Sequence, residues 1–147
     1  MANKSEPIRK IDSINYVYDY TKGDNITGAY CGPAVMAMLT GIPFEKIIEF
    51  MKDMGSVSKQ VLKKVLDYYG IQYAPKSSAF DPNIPLLDIC IIRMIFADEN
   101  GKFNRFSKDV IGHWGLYFKG KYYDPDYGVC DECPSILQIF QVWEIYP

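Results

Sequence analysis

The chain has a single histidine in 147 residues, two tryptophans and four cysteines. It has no excess of either charge: 16 Lys and Arg against 18 Asp and Glu leave a net charge of -2. That balance, with no basic stripe interleaved with aromatics, excludes the electrostatic footprint of a nucleic-acid-binding surface. Long apolar runs are missing too. The longest, "ICIIRMIF", contains Arg93 and falls far short of a bilayer crossing, so no membrane partner is expected. The opening "MANKSEPIRK" is polar and charged, without the apolar centre of a secretory signal. The expected compartment is cytoplasmic, with signal-independent export left open, and the four cysteines are expected as thiols. There is no internal repeat, low-complexity tract or linker. The length points to one domain over residues 1–147, with 1–11 as a loose N-terminal arm.

What is present is apolar and aromatic: 48% of residues are hydrophobic and 15% aromatic, enough for a core. "INYVYDY", residues 14–20, alternates as an extended segment would, and "TKGDNITG" reads as a loop. Pro33 suits the first turn of a helix, Val35, Met38 and Leu39 share one of its faces, and Gly41 ends it. Phe44, Ile47, Ile48 and Met51 give a second, amphipathic helix closed by Gly55. A third is capped by Ser56 or Ser58, carries Val61, Leu62, Val65, Leu66 and Tyr69, and stops at Gly70. The second half changes character. "IQYA" is a short strand, "SSAFDPNIP" a loop, and "LLDICIIRMIFA" a central strand. "HWGLYF", "KG" and "KYYD" form a hairpin, and "SILQIFQVWEIYP" holds a helical turn and a last strand. Helices first and antiparallel strands after predict an α+β fold.

Two stretches carry chemistry. In "GAYCGPAVMAML" a cysteine stands where a helix begins. Free backbone N–H groups and the positive end of the helix dipole favour a thiolate there, and the thiolate is the nucleophile. Gly32 would keep the approach to the sulfur open. A nucleophilic cysteine needs a base, and His113 alone can be the imidazole. Were Lys119-Gly120 a two-residue turn, Gly115 would pair with Asp124 and His113 with Asp126, so both aspartates would share the histidine's face. Trp114 is expected to shield the pair from water, and Asp126 could instead cap the turn after Pro125.

"YCGPAVMAML" and "GHWGLYFKGKYYDPDYG" together resemble the papain-like cysteine peptidases, closest to the branch related to bacteriocin-processing, double-glycine-cleaving enzymes. The likeness covers residues 23–146 in outline, and only the two motifs are specific. It implies a papain-like fold whose N-terminal helices dock on a small antiparallel sheet. It implies Cys31 as nucleophile, His113 as base and Asp124 as third member. Six positions before the cysteine, where the family pattern has an oxyanion-binding Gln, this chain has Asn25. The implied function is cleavage of a peptide or isopeptide bond in a protein or peptide substrate, without cofactor. Acyl transfer or deamidation on the same triad, and a non-catalytic peptide-binding member of the fold, are the alternatives; oligomeric state is unreadable.

"CDEC", Cys130 to Cys133, could be half of a zinc site, but the other half is missing, so no metal is expected and these read as loop thiols. Cys90 reads as core. The tyrosines at 16, 18, 20, 122, 123 and 127 read as the outer part of a small core. Lys46, Glu49, Lys52, Lys59, Lys63 and Lys64 read as solvated helix faces.

Overall fold

The structure, a computed structural model, describes residues 11–18, 30–54, 57–104, 106 and 112–147. Three helices, α1 (Cys31–Thr40), α2 (Phe44–Met51) and α3 (Lys59–Tyr68), precede six strands. These are β1 (Ser78–Ala79), β2 (Ile89–Phe96), β3 (Gly112–Phe118), β4 (Lys121–Asp124), β5 (Gly128–Cys130) and β6 (Leu137–Glu144). They form one antiparallel sheet in the order β1-β6-β2-β3-β4-β5. The class is α+β, as the residue pattern predicts.

All ten residues of α1 are buried, not just the expected face, because α2, α3 and β3 enclose it. A helix apolar on every side can only be stable in that position. Met36, Met38 and Leu39 are each almost wholly buried, and each contributes roughly 1.5–3 kcal/mol relative to exposure. Gly41 ends α1 in the left-handed region at φ 77°, its N–H bonded to the Ala37 carbonyl at 2.9 Å. The α2 helix ends at Met51, and Gly55 lies outside the described residues. Ser58 caps α3, its hydroxyl accepting from Val61 N–H at 3.3 Å; Ser56 lies outside the described residues. At its other end Gly70 N–H bonds Asp67 and Ile71 N–H bonds Leu66, the two bonds of a Schellman motif.

The sheet has two apolar faces. Ile89, Ile91, Trp114, Leu116, Phe118 and Trp143 face the helices. Cys90, Ile92, Met94, Leu137 and Ile139 form a smaller cluster on the other side, covered by Phe80, Phe96 and Tyr122 among others. The β2 strand is thus buried on both faces, which is why its sequence does not alternate. Both edges are short strands, of two and three residues, and limit edge-to-edge pairing. The segment at 11–18 is irregular, not a strand, and docks on the helix-side core through Ile11, Ile14, Tyr16 and Val17. "IQYA" reduces to one bridge, Tyr73 to Ile145, while β1 falls inside the expected loop "SSAFDPNIP" and β5 had no strand expected. The tail makes a turn at Pro134–Leu137 and then β6, with no helix.

Candidate active site

Cys31 is the first residue of α1, with Tyr30 at the N-cap. The first turn therefore leaves the Cys31 and Gly32 N–H groups without an intrahelical acceptor, and Pro33 has none to leave. Ala34 N–H closes the turn on the Tyr30 carbonyl at 3.0 Å. The packing of α1 on β3 sets where the sulfur goes. The β3–β4 ladder ends at Leu116 opposite Tyr123, so the next stretch of β3 has no strand beside it on that edge. There the Trp114 N–H donates to Cys31 Sγ at 3.4 Å.

The hairpin turn is Lys119-Gly120, with φ of 46° and 92°, and Phe118 pairs with Lys121. Two consecutive positive φ values are the turn whose twist suits a two-residue hairpin. The register is the one that puts both aspartates on the His113 face, and they are there. His113 Nε2–H donates to both carboxylate oxygens of Asp124, at 3.0 and 2.9 Å. His113 Nδ1 lies 3.8 Å from Asp126 Oδ2. The capping role falls to Asp124, not Asp126: Asp124 Oδ1 also accepts from Asp126 N–H at 2.9 Å and Tyr127 N–H at 3.2 Å. Three donors therefore fix the Asp124 carboxylate, and the carboxylate fixes the ring.

Cys31, His113 and Asp124 are 6%, 2% and 2% exposed. Burial alone would lower the His113 pKa. The hydrogen bonds to Asp124 and to Cys31, and the charges on both, outweigh it and push the ring up from 6.5 to about 10. The structure thus brings the three residues together: Asp124 is hydrogen-bonded to His113, and Cys31 is close enough to the ring to raise its pKa. Asn25 lies outside the described residues.

Several neighbours differ from expectation. Successive strand residues point to opposite faces, so Trp114 cannot cover the ring of His113. It packs in the helix-side core, while Phe96 and Tyr127 flank the ring, at 5.1 and 6.5 Å between centroids. Gly32 does not open the sulfur to solvent: a Cβ there would lie 2.5 Å from Val57 Cγ1. Its lack of a side chain lets residue 57 pack against the start of α1. Cys130 lies on β5 and Cys133 touches Met94 Sδ at 3.9 Å; both are half-buried, not loop thiols in solvent. Burial pushes the thiols of Cys90 and Cys133 up to about 11 and also raises Cys130. Cys31 is the cysteine that adjoins an imidazole. Tyr16 is a supporting residue the sequence does not reveal: its hydroxyl donates to the Asp124 carbonyl across 108 residues. No periodicity could signal so distant a bond.

Among the described residues, His113, Asp124 and Asp126 bring ligand atoms within 4.8 Å of one another, a spacing a His–Asp hydrogen bond also requires. "CDEC" takes no part in that group. Among the described residues no helix is long and apolar enough to cross a membrane. No family model, curated protein or solved structure matches the chain.

Proposed function

We propose that the protein is a papain-like thiol hydrolase acting on a peptide or isopeptide bond. One observation carries the reading: a cysteine at a helix N-terminus adjoins a buried imidazole whose Nε2 is held by a carboxylate. The raised His113 pKa favours an imidazolium beside the sulfur, the proton donor a departing amine needs. In the reaction Cys31 Sγ bonds to the acyl carbon and the amine departs with a proton from His113. The ring then takes a proton from water as that water attacks the thioester, releasing the acid and the thiol. Asp124 keeps the ring oriented throughout. The developing oxyanion would meet the Cys31 and Gly32 N–H groups, with the Asn25 amide as the second candidate donor. Burial of the site favours one alternative on the same residues, acyl transfer to an amine, since it limits access of bulk water, whereas deamidation consumes water as peptide hydrolysis does.

Incubation with an activated peptide ester tests both. An acyl adduct on Cys31, seen by intact mass and lost in Cys31→Ala, supports thiol catalysis. Product masses then separate a shortened chain from an acylated amine or a deamidated side chain. A protein that binds peptide but forms no adduct is a non-catalytic member, and the enzymatic reading fails.

A further inference from the structure

Two half-buried cations sit near this site. Arg93 on β2 pairs with Trp114 on β3 and Gln141 on β6. Its guanidinium lies 4.9 Å from the Trp114 ring centroid and 5.7 Å from that of Phe140. Lys59 begins α3, its Nζ 4.9 Å from the Trp143 ring centroid and 3.4 Å from Ser77 Oγ. It departs from the solvated face the sequence suggests. Among the described residues neither cation has a carboxylate partner, and Lys59 feels the charge of Lys63 as well. Stacking on aromatic faces offsets part of the cost of holding these charges out of water, but neutralises neither.

Lys59, Ser77, Arg93, Trp114, Gln141 and Trp143 line one cleft with no acidic wall and about 10 Å³ of free volume. That is room for about one water-sized group, such as a single carboxylate oxygen, and not for a ring or a helix. Two contacts tie the cleft to the sulfur. Trp114, whose ring forms one wall, donates its own N–H to Cys31. Val57, two residues before Lys59, packs on Gly32, next to Cys31.

We propose that this cleft binds the carboxylate of a peptide, either a Glu or Asp side chain or a free C-terminus, beside the candidate nucleophile. As a substrate subsite it rests on the hydrolase reading; as a binding site it does not. Arg93 offers the planar fork that matches a carboxylate, and Lys59, Ser77 and Gln141 offer further donors.

Trp114 and Trp143 are the only tryptophans in the chain, so intrinsic fluorescence reports on the cleft directly. The full chain carrying Cys31→Ala is titrated with short Trp-free peptides that differ only in Glu or Gln, and in a free or amidated C-terminus. We expect saturable binding for a carboxylate-bearing form, at least ~10-fold weaker once that carboxylate is masked. Loss on Glu-to-Gln exchange assigns a side chain; loss on amidation assigns the terminus. Arg93→Gln and Lys59→Gln, each checked for fold by near-UV circular dichroism, are each expected to weaken binding and shrink that preference. Equal binding of all forms, no binding of any, or unchanged binding in both variants overturns the proposal. Wild-type turnover is measured on the same peptides. Carboxylate-dependent binding without turnover removes the hydrolase reading and leaves the site; turnover without carboxylate preference does the reverse.

Discussion

Replacing Asp124 by Asn tests what charges the imidazole. The carboxylate takes the Nε2–H of His113 on both oxygens, and a neutral amide of the same shape keeps an acceptor for the Asp126 and Tyr127 N–H groups. The ring's rise from 6.5 to about 10 corresponds to at most on the order of 5 kcal/mol of preference for the imidazolium. An adjacent opposite charge accounts for about 1–3 pH units of such a rise, while burial pulls the other way. Asp124→Asn should therefore lower the His113 pKa by about 1–3 pH units, and Cys31→Ala should lower it again by removing the sulfur's charge. The measurement is direct because the chain has one histidine: a single imidazole Cε1–H resonance, followed by NMR from pH 5 upward, needs no assignment. A wild-type ring titrating at or below 6.5, or one indifferent to Asp124→Asn, would refute the reasoning.

Stability carries the same signature. The folded pKa of His113 lies above the unfolded one, so its contribution is complete below 6.5 and is lost as pH rises to about 10. In urea unfolding the stability advantage of wild type over Asp124→Asn should shrink across that window; an advantage that grows would oppose it. Gly32→Ala drives a methyl to 2.5 Å from Val57 Cγ1, and this overpacking should exceed the better helix propensity of Ala, leaving a net loss of about 1–2 kcal/mol. Val57→Ala in the same chain should recover part of it; an additive double variant would show that the two residues do not conflict.

How much of this was legible depended on the range of the signal. The hairpin register could be worked out because Lys119-Gly120 fixes the parity of every pair behind it, and parity alone puts His113, Asp124 and Asp126 on one face. Ser58, Gly41 and Gly70 marked helix ends through purely local chemistry. The same alternation rule, applied to the neighbours His113 and Trp114, would have shown that Trp114 faces away from the pair. Other features are tertiary. That α1 is buried on every side depends on α2, α3 and β3 arriving together, and short edge strands such as β1 and β5 have too few residues for a pattern. Lys59 looks like any lysine on a polar helix face until Trp143, 84 positions later in the numbering, is folded beneath it. The bond from Tyr16 to Asp124 is of the same kind.

Whether the sulfur at position 31 is a thiolate made reactive by His113 is measured most directly by alkylation. Native protein is treated with iodoacetamide at mildly acidic pH, and the four cysteine peptides are quantified by mass spectrometry over time. Cys31 should be modified well ahead of Cys90, Cys130 and Cys133, whose thiols burial holds up, and His113→Ala should erase that lead. Modification of Cys31 no faster than the other three, or a lead that survives His113→Ala, would contradict a thiolate activated by His113.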